Sequence, residues 1–362
     1  GIDTTITIYV NPTPRFNVSV PDTIVCDSSD VTFTVTDLLG TVHGTKVYDL
    51  TTSYTVGAVL GVEPSATDIA MGTPVVDQLI NTTNEVQEVD YTFRYRYNDP
   101  RNGGIAFCDH GIDTTITIYV NPTPRFNVSV PDTIVCDSTE ITISVTDLLG
   151  TVLGTKVYDL ETEYDPVWVQ GVEPTADDFA MGTSIVNQLV NNSNVVQIVR
   201  YTFKYRYNDP RHGNDPFCDH GIDTTIIIYI QPTARLLLSV PMSTTNEAIY
   251  CNGDYVEFSV DNQQGVLGTV KYDLEMLGPG LSFFHGNESS QMGRNVADFG
   301  DTLSHYQTTI QDIWYRFTPY IEDAGGMATC YGVDSTMVIS MVPVLLSSVA
   351  ERGTVYGGFN IR

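Results

Sequence analysis

GIDTTITIYVNPTPRFNVSVPDTIVCDS opens the chain at residues 1–28 and returns letter for letter at 111–138. A drifted copy, GIDTTIIIYIQPTARLLLSVP, begins at 221, and a remnant, GVDSTMVISMVPVLLSSV, begins at Gly332. The spacing is 110 residues from Gly1 to Gly111 and again to Gly221, then 111 to Gly332. Self-similarity at a fixed period sets the architecture before any local reading. This period is too long for a solenoid repeat and suits a small domain. The 362 residues therefore read as three modules, at 14–123, 124–233 and 234–344. Residues 1–13 read as the last strand of a preceding repeat, and 345–362 as the start of a following module.

Within a module the hydrophobic pattern has period two. In Val89-Asp90-Tyr91-Thr92-Phe93-Arg94-Tyr95-Arg96-Tyr97 every second residue is apolar or aromatic, which predicts a half-buried strand. Val199 to Tyr207, Thr114 to Val120, Val31-Phe33-Val35 and Ile313-Tyr315-Phe317 alternate in the same way. Thr, Val, Ile and Tyr suit a pleated surface. Only Ala66 to Ala70 hints at a helical period, and a short turn is expected there. Turns are marked by Leu-Leu-Gly (38–40), Asn-Thr-Thr-Asn (81–84) and Asn-Asp-Pro (98–100). About seven short strands per module at this spacing predict an all-β, antiparallel two-sheet sandwich. Asn-Pro-Thr-Pro at 11–14 and 121–124, and Gln-Pro-Thr-Ala at 231–234, form the joints. Proline fixes its own φ and extends the preceding residue, so the joints should be stiff and the modules stacked in a line. Strands of about ten residues give roughly 35 Å per module and a rod on the order of 100 Å.

Lys+Arg 17 against Asp+Glu 44 leaves a net charge of −27, spread over all three modules. So acidic a surface excludes the basic footprint of a nucleic-acid binder and electrostatic attachment to anionic lipid. No apolar run is long enough for a bilayer span, so the chain is not expected to be membrane-inserted. Cys26 and Cys108 stand near the start and end of the first module, Cys136 and Cys218 of the second, Cys251 and Cys330 of the third, 82, 82 and 79 positions apart. One pair per module reads as three disulfides, Cys26–Cys108, Cys136–Cys218 and Cys251–Cys330, in an oxidising compartment. Each would stabilise its own module by about 4–5 kcal/mol on the chain-entropy model.

Val25-Cys26, Val89-Asp90-Tyr91-Thr92, Cys108 and Thr115-Ile116-Thr117-Ile118-Tyr119-Val120-Asn121-Pro122-Thr123-Pro124 together resemble the PKD-like, immunoglobulin-like repeats of giant Bacteroidota surface proteins, such as the SprB-type gliding adhesins. The resemblance covers residues 14–344. It departs from the family where Tyr48, Tyr158 and Tyr272 of a Tyr-Asp-Leu motif stand in place of a tryptophan. It implies a linear rod of tandem sandwiches forming the shaft of an adhesin in gliding motility or surface attachment. It further implies export by the type IX system to the cell surface and attachment at the outer membrane. The implied partners are surface polysaccharide or other cell surfaces, together with the gliding and secretion machinery. A carbohydrate-binding array and the spacer of a secreted hydrolase are the alternatives.

No catalytic residue is assigned. His43 becomes Leu153 in the next module, the Cys-Asp-His-Gly at 108–111 and 218–221 becomes Cys-Tyr-Gly at 330–332, and no nucleophile or metalloprotease motif occurs. No organic cofactor is expected. Calcium is, if anything, the ion for loop carboxylates near a module end, namely Asp99, Asp109, Asp113, Asp209, Asp215, Asp219 and Asp223. Asp-Ser/Thr followed by an apolar residue or Thr, the O-glycosylation pattern of Bacteroidota exported proteins, makes Thr4, Thr23, Thr114, Thr133, Ser138, Thr224, Thr302 and Ser335 candidates. N-x-S/T occurs at Asn17, Asn81 and Asn287. Tyr119, Trp168 and Trp314 fall on polar sides of their strands, where a ring can stack on a sugar.

Overall fold

A computed structural model describes residues 1–343 apart from 100, 102–103, 210, 212–214, 242–246 and 287. The first module holds β1 (Phe16–Ser19), β2 (Ile24–Val25), β3 (Ser29–Asp37), β4 (Thr45–Tyr54), β5 (Val59–Leu60), β6 (Ala66–Ala70), β7 (Val75–Asn81), β8 (Gln87–Asp99), β9 (Ile105–Phe107) and β10 (Thr114–Val120). One sheet runs β1-β3-β7-β5; the facing sheet runs β2-β10-β8-β4-β6, with β9 on the far end of β8. All pairings are antiparallel except β2 on β10, where Ile24 faces Tyr119 and Val25 faces Val120. This order, with the opening strand shared between the two sheets, is that of an immunoglobulin-like sandwich. The strands beyond the expected seven are the short β2, β5 and β9. The second module repeats the order as β11 to β20 (Phe126–Ser129 through Thr224–Ile230). The third runs from β21 to β31 (Leu237–Ser239 through Ser335–Val342) and adds a two-stranded ribbon, Phe284–His285 with Ser304–His305.

The period-two residues are the core. Val89, Tyr91, Phe93, Tyr95 and Tyr97 of β8 are fully buried, and Tyr91 and Phe93 meet Phe33 of β3 across the sandwich, with ring centroids 4.4 and 5.5 Å apart. Burying each such side chain is worth roughly 1.5–3 kcal/mol. Tyr48 and Tyr158 take the inward positions where the family resemblance expects tryptophan. Each hydroxyl donates to a backbone carbonyl at 2.8 Å, Thr73 and Thr183 respectively, so the ring is buried with its polar end satisfied.

Residues 66–70 form a strand and not a turn. Its pairing with β4 slips between Tyr48 and Leu50, and Asp68 sits at φ 61° with its N–H on Asp49 Oδ1 at 2.9 Å. The extra residue of this bulge places half-buried Ala66 and Ile69 three apart on one side, which imitates a helical period. Arg96 then bridges Asp49 and Asp68, and Arg206 does the same for Asp159 and Asp178.

Candidate functional site at the module junctions

The disulfides do not close the modules. Cys26 is bonded to Cys218 and Cys136 to Cys330, with Cα–Cα distances of 5.2 and 5.1 Å, while Cys108 and Cys251 are free thiols. The expected pairs Cys26–Cys108, Cys136–Cys218 and Cys251–Cys330 are all corrected. The reason is the length of β8. Cys26 follows Val25, which pairs with Val120, itself opposite Gln87 at the start of β8. Cys108 follows Phe107, which faces Tyr97 near the other end of that strand. Ten residues of strand separate the two cysteines by about 35 Å, far beyond what a disulfide spans. Each module thus carries its early cysteine at one pole and its late cysteine at the other. The partner within reach belongs to the neighbour.

Around each bridge lies a small apolar cluster. Leu149, Tyr205, Tyr207 and Phe217 surround Cys26–Cys218, and Ala234, Val270 and Ile321 surround Cys136–Cys330. A polar frame is repeated beside it. The Asn121 amide donates to Leu153 O at 2.8 Å and its oxygen accepts from Leu153 N–H at 2.8 Å. Gln231 makes the same two-sided clamp on Leu267 at 2.5 and 3.0 Å. Both clamp residues are essentially buried, so an unpaired amide there would be costly. The hydroxyls of Thr123 and Thr233, at the end of their modules, donate back to Asp27 and Asp137 beside the early cysteine of the same module, which anchors the joint. These residues come from the Asn-Pro-Thr-Pro and Gln-Pro-Thr-Ala joints, whose stiffness is therefore tertiary as well as local.

Main chains also meet directly. Gly150 N–H donates to Asn84 O at 2.9 Å and Val86 N–H to Thr151 O at 2.8 Å; Gly265 and Val196 repeat the contact one junction on. A Cβ on Gly150 would fall 2.6 Å from Glu85 Cγ, so a side chain at this contact would have to push the exposed Glu85 side chain aside. The first junction has one further element. Arg211, held by Asp209, reaches Asp22 of the first module at 2.9 Å. Burial pushes the Asp22 carboxyl up, but the Ile24 N–H and the Arg211 guanidinium outweigh it and hold the group below its usual range.

The calcium candidates are dispersed. Asp99 and Asp209 are engaged by Arg101 and Arg211, Asp109 and Asp113 by Arg94, and Asp219 lies beside His220. Asp223 is exposed. Among the described residues no three acidic, histidine or cysteine side chains gather as a metal set. Thr4, Thr23, Thr133, Ser138 and Thr302 are exposed, whereas Thr114, Thr224 and Ser335 are half-buried in or at the start of strands. Asn81 is buried, its amide donating to Glu85 O and Val120 O, so it offers no site for a glycan; Asn287 lies outside the described residues. Trp168 and Trp314 are partly exposed on separate modules, and Tyr119 is half-buried. No described helix is long and apolar enough to cross a membrane.

No family model matches the chain, and no curated protein matches it. Among solved structures it is similar to the I-band fragment I67-I69 from titin (8% identity, 91% of this chain and 98% of that one, TM-score 0.41). It is also similar to FdeC, an Escherichia coli adhesin (13% identity, 92% and 99%, TM-score 0.31), and to an ICAM-5 D1-D4 ectodomain fragment (9% identity, 91% and 77%, TM-score 0.36). At these scores the fold assignment rests on the strand order within each module. The chain is a tandem array of immunoglobulin-like sandwiches whose neighbours are joined by disulfides.

Proposed function

We propose that this chain is a shaft segment of a large cell-surface adhesin, serving attachment or gliding motility, exported by a type IX system and held at the outer membrane. In this reading surface polysaccharide or another cell is gripped elsewhere in the assembly, and the gliding and secretion machinery holds the base. The observation that carries it is the stagger of the two bridges. Cys26–Cys218 and Cys136–Cys330 overlap in sequence. The shortest covalent route from Cys26 to Cys330 therefore runs back through the 82 positions from Cys218 to Cys136, not through the intervening 304. At ~3.5 Å per residue, full unfolding lengthens that span to about 290 Å with the bridges and about 1,060 Å without them. Such a chain keeps its reach when its modules unravel, a property suited to a tether. The bridges also favour an oxidising, extracellular setting.

The test is single-molecule stretching from residue 14 to residue 343. Reduction should release several hundred ångströms of additional extension. Equal extension of oxidised and reduced chains would sink the tether reading. The exposed indoles of Trp168 and Trp314 favour the carbohydrate-binding alternative. Retention on immobilised polysaccharide, lost in Trp168→Ala and Trp314→Ala, would support that reading instead.

A further inference from the structure

We infer that the upstream pole of the first module is a docking surface for another module of this same construction, one that arrives without its own closing strand. The inference rests on junction geometry and stands whether or not the tether reading does.

Three half-contacts converge at that pole. Residues 1–10 are identical to 111–120, yet they form no strand, and Ile8 and Val10 are 80% and 89% exposed where Ile118 and Val120 are 0%. The difference is that β10 lies between β2 and β8 of its own module, whereas residues 1–10 lie against no such pair. Their downstream end is nonetheless seated as in a junction. The Asn11 amide donates to His43 O at 2.7 Å and accepts from His43 N–H at 2.8 Å, and the Tyr97 hydroxyl donates to Pro12 O at 3.2 Å. These match the Asn121–Leu153 clamp and the Tyr207–Pro122 contact at 3.0 Å.

The second half-contact is Arg101. Asp99 holds it through two hydrogen bonds at 2.9 Å, as Asp209 holds Arg211. Its side chain is 80% exposed against 33% for Arg211, whose outer nitrogens take Asp22 of the neighbour. The third is Cys108, a partly exposed thiol with φ 51°, where its bonded counterpart Cys218 has φ 53°. The backbone that presents the sulfur is already in the bonded form.

What a partner must bring is displayed at the other pole of the first module. It is a carboxylate like Asp22, a thiol like Cys26, and a sheet with a gap between strands like β2 and β8. A module of this kind supplies all three together. The covalent step is an oxidation. The two thiols lose two protons and two electrons to a low-molecular-weight disulfide, forming one S–S bond and releasing two small thiols.

The experiment places a second copy of residues 14–110 directly before Gly1 and leaves the rest of the chain unchanged. Ile24→Val and Ile105→Val in the added copy serve as mass labels. After refolding with oxidised and reduced glutathione, tryptic mapping should find the labelled Cys26 peptide joined to the unlabelled Cys108 peptide. The free thiols should then be the added copy's late cysteine and Cys251. Amides of residues 6–10 should gain hydrogen-exchange protection. A labelled Cys26 joined to the labelled late cysteine, or both left as thiols, overturns the inference. So does an added module that stays unfolded, because the fusion reproduces residue for residue the connection between His110 and Gly111. Cys108→Ser in the same chain should leave the added Cys26 open to alkylation; a bridge found elsewhere in that variant also overturns it.

Discussion

The two junctions share one frame but are filled differently. In the first, the hairpin between β18 (Gln197–Asp209) and β19 (Asp215–Phe217) carries Arg211 across to Asp22. In the second, the hairpin between β29 (Gln311–Glu322) and β30 (Ala328–Tyr331) leaves the same five positions between its last paired residues, Glu322 and Ala328, as the first leaves between Asp209 and Asp215, but Ala324 stands where the first has Arg211. It closes as a tight Asp323-Ala324-Gly325-Gly326 turn. No arginine reaches over, and a cleft of about 660 Å³ opens between Asp132, Ile134, Leu267, Asp323 and Ala324. Tyr207, which donates to Pro122 at the first junction, is likewise replaced by Ile321. The bridge, the amide clamp, the threonine–aspartate bond and the backbone contact are present at both. These four define the joint, and the ion pair is an addition to it.

The largest effect should come from the bridges. Each closes a ring of about 190 residues in the unfolded chain, worth about 5 kcal/mol on the entropy model and less where the native state is strained. Cys26→Ser and Cys136→Ser should lower the calorimetric Tm by similar amounts. A loss at one junction only would show that the joints are not equivalent. Next come the clamps. Asn121→Ala should cost about 1–3 kcal/mol, because Leu153 is left with two unpaired backbone groups. Gln231→Ala should cost less, since the longer side chain gives up more rotamer freedom on folding. Equal losses in denaturant titrations would remove that distinction.

The ion pair ranks lower. Arg211→Ala should destabilise the first junction by about 1 kcal/mol or less, the range of part-exposed pairs. Ala324→Arg should strengthen the second by a similar amount by placing a guanidinium between Asp132 and Asp323. Unchanged midpoints for both variants would show that the cleft, not the charge, distinguishes the junctions. The smallest effect is that of pH. The Asp22 carboxyl has a folded value depressed below its ordinary 3.8, so its contribution is present above that pH and lost as pH falls through the folded value. Limited proteolysis between the first two modules should accelerate below pH 4, and Arg211→Ala should abolish the acceleration.

Much of this was legible in the residues. The alternation in β8 marks Val89 to Tyr97 as an inward row, and the identical blocks mark the period. The bulge at Asp68 was not legible, because one inserted residue turns a period of two into an apparent three. Nor was the cleft, since Ala324 in place of Arg211 marks a shorter side chain but not the carboxylate across the joint that an arginine there would meet. The cysteine partners were hidden for a different reason. Cys26 lies one fixed interval from Cys108 and one fixed interval plus a full period from Cys218, and in a repeating chain both intervals recur.

The amino-acid order alone settles that there are repeating modules, that each is a two-layer β-sandwich, and which rows of side chains form its interior. Those properties depend on periodicities of two residues and of one module, and both are local or translational. Pairing across the joints belongs to the folded array. A strand of thirteen residues carries the two cysteines of a module to opposite ends, so distance forbids the bond within a module and permits it between neighbours.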